Sequence, residues 1–184
     1  RCWWCENDPL YCDYHDTEWG VPLHDEQRLF EMLILEGFQA GLSWITILRK
    51  RENFRKAFKK FDPKKVAKFT VKDVQRLMND ESIVRNRLKI EAAITNAQNF
   101  LAVQKEFGSF DKYIWQFTNY NTLRDPKGMT KARIRPTSSE SDALSKDLKE
   151  RGFKFVGSTI IYAHMQATGM VDDHVEGCWK YVKR

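Results

Sequence analysis

The sequence predicts an all-α fold, a bundle of helices around a single core. Apolar residues in several stretches recur at intervals of three and four, the spacing of one helix face. Capping residues or prolines begin several of these stretches, and glycines end some of them. No stretch has the pattern of a convincing strand. Of the 184 residues, 42% are hydrophobic, enough for the core of one domain, so we treat residues 1–184 as a single domain.

The chain divides into an N-terminal segment and a series of helices. Residues 1–22 are rich in aromatic side chains but have no sustained period, and prolines and glycine interrupt them. Because disordered segments are poor in aromatic residues, we expect a folded but irregular annex to the bundle. The predicted helices span about residues 25–37, 44–60, from 62 onward, 70–79, 89–107, 110–117, 139–152 and 156–169, with a surface loop over 119–136.

The most informative stretch is the end of the helix predicted over 25–37. Leu29, Leu33 and Glu36 are spaced four and three apart, so they share one face of this helix. Two of these residues are apolar, and the third brings a carboxylate into a stripe predicted to be buried. A buried carboxylate costs free energy unless it has hydrogen-bond donors or a cationic ligand. Glu36 is therefore a candidate for ligand recognition.

A tight turn is predicted directly after this helix. Gly37 and Gly41 bracket the turn, Ser43 can cap the next helix, and Trp44 begins that helix. A carboxylate and an indole at one helix junction suit a flat, partly cationic ring that carries a hydrogen-bond donor. The alternative is structural: Glu36 would cap a neighbouring backbone segment, and Trp44 would belong to the core.

Composition favours a polyanionic partner. The net charge is +6 and the predicted pI is about 9.1. No apolar run is long enough to span a bilayer, and no secretory signal pattern is present, so we expect a cytoplasmic protein without a membrane partner. Nothing in the sequence implies a protein partner. Many of the basic residues in 49–68 are consistent with a solvated helix face.

The four cysteines are too few for a disulfide scaffold and leave thiols available for a metal. His174 and Cys178 are four residues apart, so one helical turn would direct both at the same ion. Cys2 and His15 lie near the other end of the chain. Two Cys and two His would complete a closed tetrahedral zinc site. The alternative is that both histidines are ordinary hydrogen-bonded side chains.

A helical hairpin is predicted where the 70–79 helix meets the 89–107 helix. Arg85, Arg87 and Lys89 lie at the bend. Such a bend can bind a phosphate through backbone N–H groups at a helix N-terminus. The alternative is an ordinary antiparallel helix pair.

Six motifs follow one another along nearly the whole chain. They are Asp8-Pro9-Leu10-Tyr11, Tyr14-His15-Asp16, Glu18-Trp19-Gly20-Val21-Pro22, Ala40-Gly41-Leu42-Ser43-Trp44, Gly152-Phe153-Lys154-Phe155-Val156-Gly157, and Asp173-His174-Val175 with Cys178. In this order they resemble the bacterial 3-methyladenine DNA glycosylase I family. The resemblance implies a helix-hairpin-helix fold and excision of 3-methyladenine from alkylated double-stranded DNA by hydrolysis of the N-glycosidic bond.

The resemblance also implies roles for individual residues. Glu36 would recognise the damaged base and stabilise its charge, and the base would stack among Trp4, Tyr11, Tyr14 and Trp44. On the DNA surface, Leu42 would fill the gap left by the flipped base, Gln39 would probe the opposite strand, and Arg85, Arg87 and Lys89 would contact phosphates. The family usually has glycines at the hairpin, where this chain has Ser82 and Leu88.

The resemblance further implies one structural zinc ion per chain, bound by Cys2, His15, His174 and Cys178. This ion would tie residues 1–22 to residues 170–184. Two other functions remain open from the residues themselves. One is a non-catalytic, zinc-stapled DNA-binding module, and the other is a zinc hydrolase with His15 and His174 as ligands.

Overall fold

The computed structural model describes residues 1–5 and 7–182. These residues form nine α-helices and no strand, apart from one isolated bridge between Leu123 and Val171. The prediction of an all-helical fold is confirmed. The helices are α1 (Pro9–Thr17), α2 (Glu26–Gln39), α3 (Trp44–Ala57), α4 (Pro63–Val66), α5 (Val71–Met78), α6 (Arg87–Phe107), α7 (Phe110–Trp115), α8 (Ser139–Glu150) and α9 (Ser158–Ala167).

The N-terminal segment is more regular than predicted. It contains a short 3-10 turn over Trp3–Cys5 and the α-helix α1. Asp8 caps α1 by accepting a hydrogen bond from the Tyr11 N–H at 3.1 Å, and Pro9 occupies the first helical position. The expectation of an irregular segment was wrong. Asp8-Pro9 is a helix start signal, but the absence of a clear apolar period had more weight in the prediction.

The helix α2 lies at the centre of the bundle. It contacts α3, α6, α7 and α9, and nearly all of its residues from Leu29 to Phe38 are buried. Its start agrees with the prediction, since Asp25 accepts a hydrogen bond from the Arg28 N–H at 2.9 Å. A helix surrounded by four others is buried on several faces, and this explains why its carboxylates are also shielded.

The turn after α2 differs from the prediction. Gly37 does not bracket the turn but lies inside the helix, where the side chain of Phe155 packs closely against it. Only Gly41 has the positive φ of a tight turn, +79°. Ser43 occupies the N-cap position of α3, but its hydroxyl pairs with the Thr46 hydroxyl at 2.7 Å and does not cap the backbone.

The hairpin connection runs from residue 79 to residue 86. α5 and α6 pack against each other, and Asn86 caps α6 by accepting a hydrogen bond from the Lys89 N–H at 3.1 Å. α6 therefore begins two residues earlier than predicted, at Arg87. No helix in the described part of the chain is long and apolar enough to cross a membrane.

The two ends of the chain meet beside α9. The carbonyls of Gln166 and Thr168 accept hydrogen bonds from the N–H groups of Gly20 and Leu23 at 2.9 and 3.0 Å. Gly169 follows α9 and, with a φ of +70°, turns the chain toward the C-terminal segment. A Cβ at Gly169 would collide with the backbone of residues 21–22.

We predict that Gly169→Ala lowers the free energy of unfolding by about 2–5 kcal/mol, through backbone strain and the collision with residues 21–22. Gly41→Ala is the matched control, because Gly41 also has a positive φ but a Cβ there would meet no atom within 4 Å. The control should lose only about 1–2 kcal/mol. Denaturant unfolding of both variants measures this difference. Equal losses would show that the close approach at Gly169 has no energetic consequence.

Candidate functional site

A cavity of about 230 Å³ lies between the N-terminal segment and the helices α1, α2, α3 and α9. It brings together Glu36, Gln39 and the four aromatic residues that the sequence analysis singled out. Its lining residues are Trp3, Trp4, Tyr11, Tyr14, Trp19, Glu36, Gln39, Trp44, Ile134, Ala163, Gln166 and Asp173. A volume of this size is suitable for a small planar ligand such as a single nucleobase.

Helical spacing explains how these side chains converge. Residues three apart on an α-helix lie on the same face. Three helices each contribute one such pair to the cavity: Tyr11 and Tyr14 from α1, Glu36 and Gln39 from α2, and Ala163 and Gln166 from α9.

Aromatic rings form most of the cavity wall and contact one another at steep angles. The Trp4 ring lies 4.8 Å from that of Tyr11 and 5.0 Å from that of Trp19, between ring centroids, with interplanar angles of 53° and 71°. The rings of Tyr14 and Trp44 are 5.5 Å apart at 49°. Edge and tilted contacts of this kind fix the rings relative to each other and leave their faces available for stacking.

Glu36 is buried in this cavity without a partner. It is 3% exposed, and no described group of the protein donates a hydrogen bond to its carboxyl. Burial raises its pKa to about 8. The pKa of Tyr11 is also raised, to about 12, mainly by burial and additionally by the negative charge of Glu36. The same two causes raise the pKa of Tyr14.

The cavity also contains an unpartnered donor. The indole Nε1 of Trp44 is buried and donates no hydrogen bond to any described group. Gln39 lines the cavity and also donates from Nε2 to the Leu42 carbonyl at 3.3 Å. A planar ligand that offers both a donor and an acceptor would satisfy Glu36 and Trp44 together.

The sequence analysis missed several lining residues, most importantly Gln166 and Asp173. Asp173 belongs to the motif with His174, which had been considered only for metal binding. Nothing in the sequence shows which face of α9 borders the cavity. Its helical period makes Ala163 and Gln166 neighbours but does not tell which element they face.

A possible metal site lies beside the cavity. The ligand atoms of Cys2, His15 and Cys178 all lie within 4.8 Å of one another, and all three residues are buried. His174 is not part of this set. Its ring lies 5.0 Å from that of His15, its Nδ1 pairs with Asp172 at 2.6 Å, and its buried Nε2 has no partner in the described residues.

The local structure at His174 differs from the prediction. Residues 174–178 do not form a helical turn but an extended piece followed by a turn. The hydrogen bond that closes this turn runs from the Cys178 N–H to the Val175 carbonyl at 2.9 Å. Gly177 has a φ of +90°, which lies outside the right-handed helical region and is readily adopted by glycine.

The basic residues of the hairpin fall into two groups. Arg85 and Arg87 are about half exposed and make only long ion pairs, 3.5 Å to Glu81 and 3.4 Å to Glu91. Surface ion pairs of this kind contribute little to stability, so both guanidinium groups remain available to another partner. Leu42 lies in the turn after α2 and is 40% exposed.

Lys89 belongs to the interior, contrary to its expected place on the DNA surface. It is 8% exposed, and its ammonium donates hydrogen bonds to the carbonyls of Phe38 at 2.8 Å and Ala40 at 2.5 Å. These carbonyls lie at the C-terminal end of α2, where the helix dipole favours a positive charge. Lys89 therefore joins the hairpin to the helix that carries Glu36.

An aromatic cavity with a buried carboxylate, next to a helical hairpin with exposed arginines, is typical of proteins that bind a nucleobase outside the duplex. A family model described as methyladenine glycosylase matches residues 4–181. The chain belongs to the methyladenine glycosylase family.

Similar proteins agree with this assignment. The chain is 52% identical to DNA-3-methyladenine glycosylase 1 of Escherichia coli over 98% of this chain and 96% of the relative. The crystal structure of a 3-methyladenine DNA glycosylase I has a TM-score of 0.95 and 48% identity, covering 99% of this chain and 100% of that one. The Staphylococcus aureus enzyme, solved to study 3-methyladenine recognition, has a TM-score of 0.94 and 39% identity, with coverage of 100% and 97%.

We predict that Glu36→Gln stabilises the protein near pH 8. An acid whose pKa rises from 4.5 in the unfolded chain to about 8 in the folded chain lowers stability as pH increases between these values. Below pH 4.5 it has no such effect, and above pH 8 the loss is constant. The gain in Glu36→Gln should therefore be small at pH 4.5 and reach roughly a few kcal/mol at pH 8.

Glu31→Gln is the matched control for this prediction. Glu31 is also buried on α2, but its carboxylate is paired with Arg55 at 2.7 Å. Removing one partner of a buried ion pair destabilises a protein, so the control should unfold more easily at pH 8. Thermal unfolding from pH 4.5 to 8 measures both variants. If Glu36→Gln were less stable than the parent at pH 8, the carboxyl would have a partner that the described contacts lack.

Proposed function

We propose that this chain is a DNA repair glycosylase that extracts 3-methyladenine from alkylated double-stranded DNA and hydrolyses its N-glycosidic bond. The unpartnered carboxylate of Glu36 in an aromatic cavity is the observation that carries the proposal. The relatives named above are called 3-methyladenine DNA glycosylases, and this supports the same substrate here.

The damaged nucleotide must leave the base stack to reach such a cavity. Trp4, Tyr11, Tyr14 and Trp44 would then stack around the extruded base, and Glu36 would accept a hydrogen bond from its exocyclic amine. The methylated base is cationic while it is attached to the sugar. A cation beside Glu36 favours the ionised carboxylate and offsets the cost of its burial. The cavity would therefore favour bases that carry a positive charge.

The chemical step needs little from the protein, because a cationic base is a good leaving group. The bond between the sugar carbon and the base nitrogen breaks, and its electron pair goes to the base, which leaves neutral. Water then adds to the sugar carbon and loses a proton. Glu36 would stabilise positive charge before and during bond cleavage, and this is the role we assign to it.

Contacts with the DNA would come from the turn after α2 and from the α5–α6 hairpin, which we interpret as a helix-hairpin-helix element. Leu42 would fill the gap left by the extruded base, and Gln39 would probe the opposite strand. The exposed Arg85 and Arg87 would contact phosphates. Because Asn86 caps only the third N–H of α6, the first N–H groups are available to the same phosphate.

We further propose that Cys2, His15, His174 and Cys178 bind one structural zinc ion. Three of these ligands lie within 4.8 Å of one another, and the fourth, His174, has a buried Nε2 without a partner and an Nδ1 held by Asp172. A carboxylate that orients a histidine in this way is typical of zinc sites. When bound, the ion would supply a fixed link between distant parts of the chain.

This link would tie residues 1–22 and 170–184 into one annex of a single domain; residues 183–184 lie outside the described part. Lys180 already supports it, since its ammonium donates to the carbonyls of His15, Asp16 and Trp19 at 3.2–3.3 Å. All four cysteines are free thiols, which supports a reducing, cytoplasmic environment.

We predict that Glu36→Gln weakens binding of free 3-methyladenine by about 1–3 kcal/mol, because a charged acceptor is replaced by an amide. Base release from methylated double-stranded DNA should fall less, since the charged base leaves readily. Glu150→Gln, on the exposed side of α8, is the control and should match the parent. Calorimetry with the free base and chromatography of released bases measure the two effects.

Two results would contradict the proposal. Unchanged affinity of Glu36→Gln for the free base would make Glu36 a structural residue. DNA binding by the parent without any release of 3-methyladenine would instead identify a non-catalytic DNA-binding module.

For the metal, we predict about one zinc ion per chain and a stability loss of about 2–5 kcal/mol in Cys178→Ser. Cys12→Ser is the control, because Cys12 is outside the ligand set and its thiol only donates to the Cys5 carbonyl at 2.9 Å. Elemental analysis and thermal unfolding measure both variants. Absence of zinc in protein purified without chelator would refute the site. Immediate loss of activity on chelation, with the fold intact, would indicate a zinc hydrolase.

A further inference from the structure

A second buried carboxylate borders the cavity and has no role in the reaction described above. Asp173 is 2% exposed and lines the same cavity as Glu36. Its Oδ2 accepts hydrogen bonds from the Tyr162 hydroxyl at 2.7 Å and from the Gln166 Nε2 at 2.8 Å. Arg135 in turn donates to the Tyr162 hydroxyl at 3.2 Å, so the aspartate lies at the end of a chain of hydrogen bonds.

This series of hydrogen bonds fixes the orientation of the Gln166 side chain. A carboxylate oxygen can accept more than one hydrogen bond, and Asp173 Oδ2 accepts from both Tyr162 and Gln166. Because a carboxylate only accepts, the Gln166 amide directs its NH₂ group toward Asp173. The backbone of Gln166 is held as well, because its carbonyl accepts a hydrogen bond from the Gly20 N–H at 2.9 Å. The amide oxygen of Gln166 has no partner among the described residues, and the residue lines the cavity.

Glu36 and Gln166 differ in one important respect. The carboxyl of Glu36 can gain or lose a proton near neutral pH, since burial raises its pKa to about 8. It could therefore donate to an oxo group as readily as it accepts from an amine. An amide oxygen can only accept, and Asp173 prevents the amide from turning over. Discrimination between an amine and an oxo group thus requires Gln166.

We propose that Gln166, held in place by Asp173, is the residue that selects a 6-amino purine over a 6-oxo purine in this cavity. Its amide oxygen accepts a hydrogen bond from the exocyclic amine of 3-methyladenine. The corresponding oxo group of 3-methylguanine would face a second acceptor and remain unpaired, which disfavours its binding. Asp173 acts as a positioning residue. The inference rests on the proposed function, since it concerns the same cavity and the same base.

The test compares the affinities of free 3-methyladenine and free 3-methylguanine for the parent protein and three variants. Gln166→Leu removes the acceptor and keeps a similar volume. Asp173→Leu keeps a similar side-chain shape but removes the acceptor for the Gln166 NH₂, so the amide is free to turn its NH₂ toward the base. Tyr162→Phe is the matched control, because it removes a hydrogen bond from the same aspartate oxygen but leaves that of Gln166 intact.

We expect the parent to prefer 3-methyladenine, and Gln166→Leu and Asp173→Leu each to reduce this preference about tenfold. Tyr162→Phe should keep the preference within about twofold. A ratio of two affinities on one protein separates specificity from a general loss of folding. Zinc content and thermal unfolding are measured in parallel, because Asp173 is adjacent to His174.

An unchanged preference in Gln166→Leu would overturn this inference, and so would an equal loss of preference in Tyr162→Phe and Asp173→Leu. Neither result would affect the proposed function. If the parent binds neither base and releases none from methylated DNA, the proposed function itself fails.

Discussion

The burial of Glu36 is the constraint on which the rest of the molecule depends. A carboxyl that is 3% exposed and receives no hydrogen bond from the described residues lowers the stability of the protein whenever it is ionised. Such a cost persists only where the surrounding structure is strong enough to maintain it. The central helix α2 provides this support, because α3, α6, α7 and α9 pack around it. A cationic ligand that removes the cost is thereby bound more tightly than a neutral one.

The aromatic wall of the cavity depends on contacts far away in the sequence. Trp4 and Tyr11 belong to the N-terminal segment and pack against the main core as partly buried residues. The cluster of Cys2, His15 and Cys178, together with the close approach at Gly169, holds this segment against the C-terminal one. Residues of the N-terminal and C-terminal segments thus close the cavity together, and the geometry of stacking depends on contacts between residues far apart in the sequence.

The sequence analysis predicted the structural features that depend on local residue spacing. It failed for features that depend on contacts between residues far apart in the sequence. The all-helical fold and the shielding of Glu36 follow from a helical period that can be counted along α2. The burial of Lys89 depends on carbonyls 49 and 51 residues away, which no local pattern reveals. Gln166 was missed for the same reason, since its helical period gives a shared face with Ala163 but not the element opposite, and Asp173 lies in the extended segment that follows α9. The helix α1 was missed because aromatic residues obscure its period.

The position of Lys89 connects the helical hairpin to the helix that carries Glu36. Its backbone lies in the first turn of α6, next to the exposed Arg87, while its ammonium holds the last carbonyls of α2. These carbonyls lie just before Leu42, and Glu36 is two residues before Phe38 and four before Ala40. A phosphate bound at the hairpin would therefore fix the distances between the DNA backbone, Leu42 and the carboxylate of Glu36. Extruding a base from the stack costs roughly a few kcal/mol. A rigid connection of this kind would let the free energy gained by binding the phosphate offset that cost.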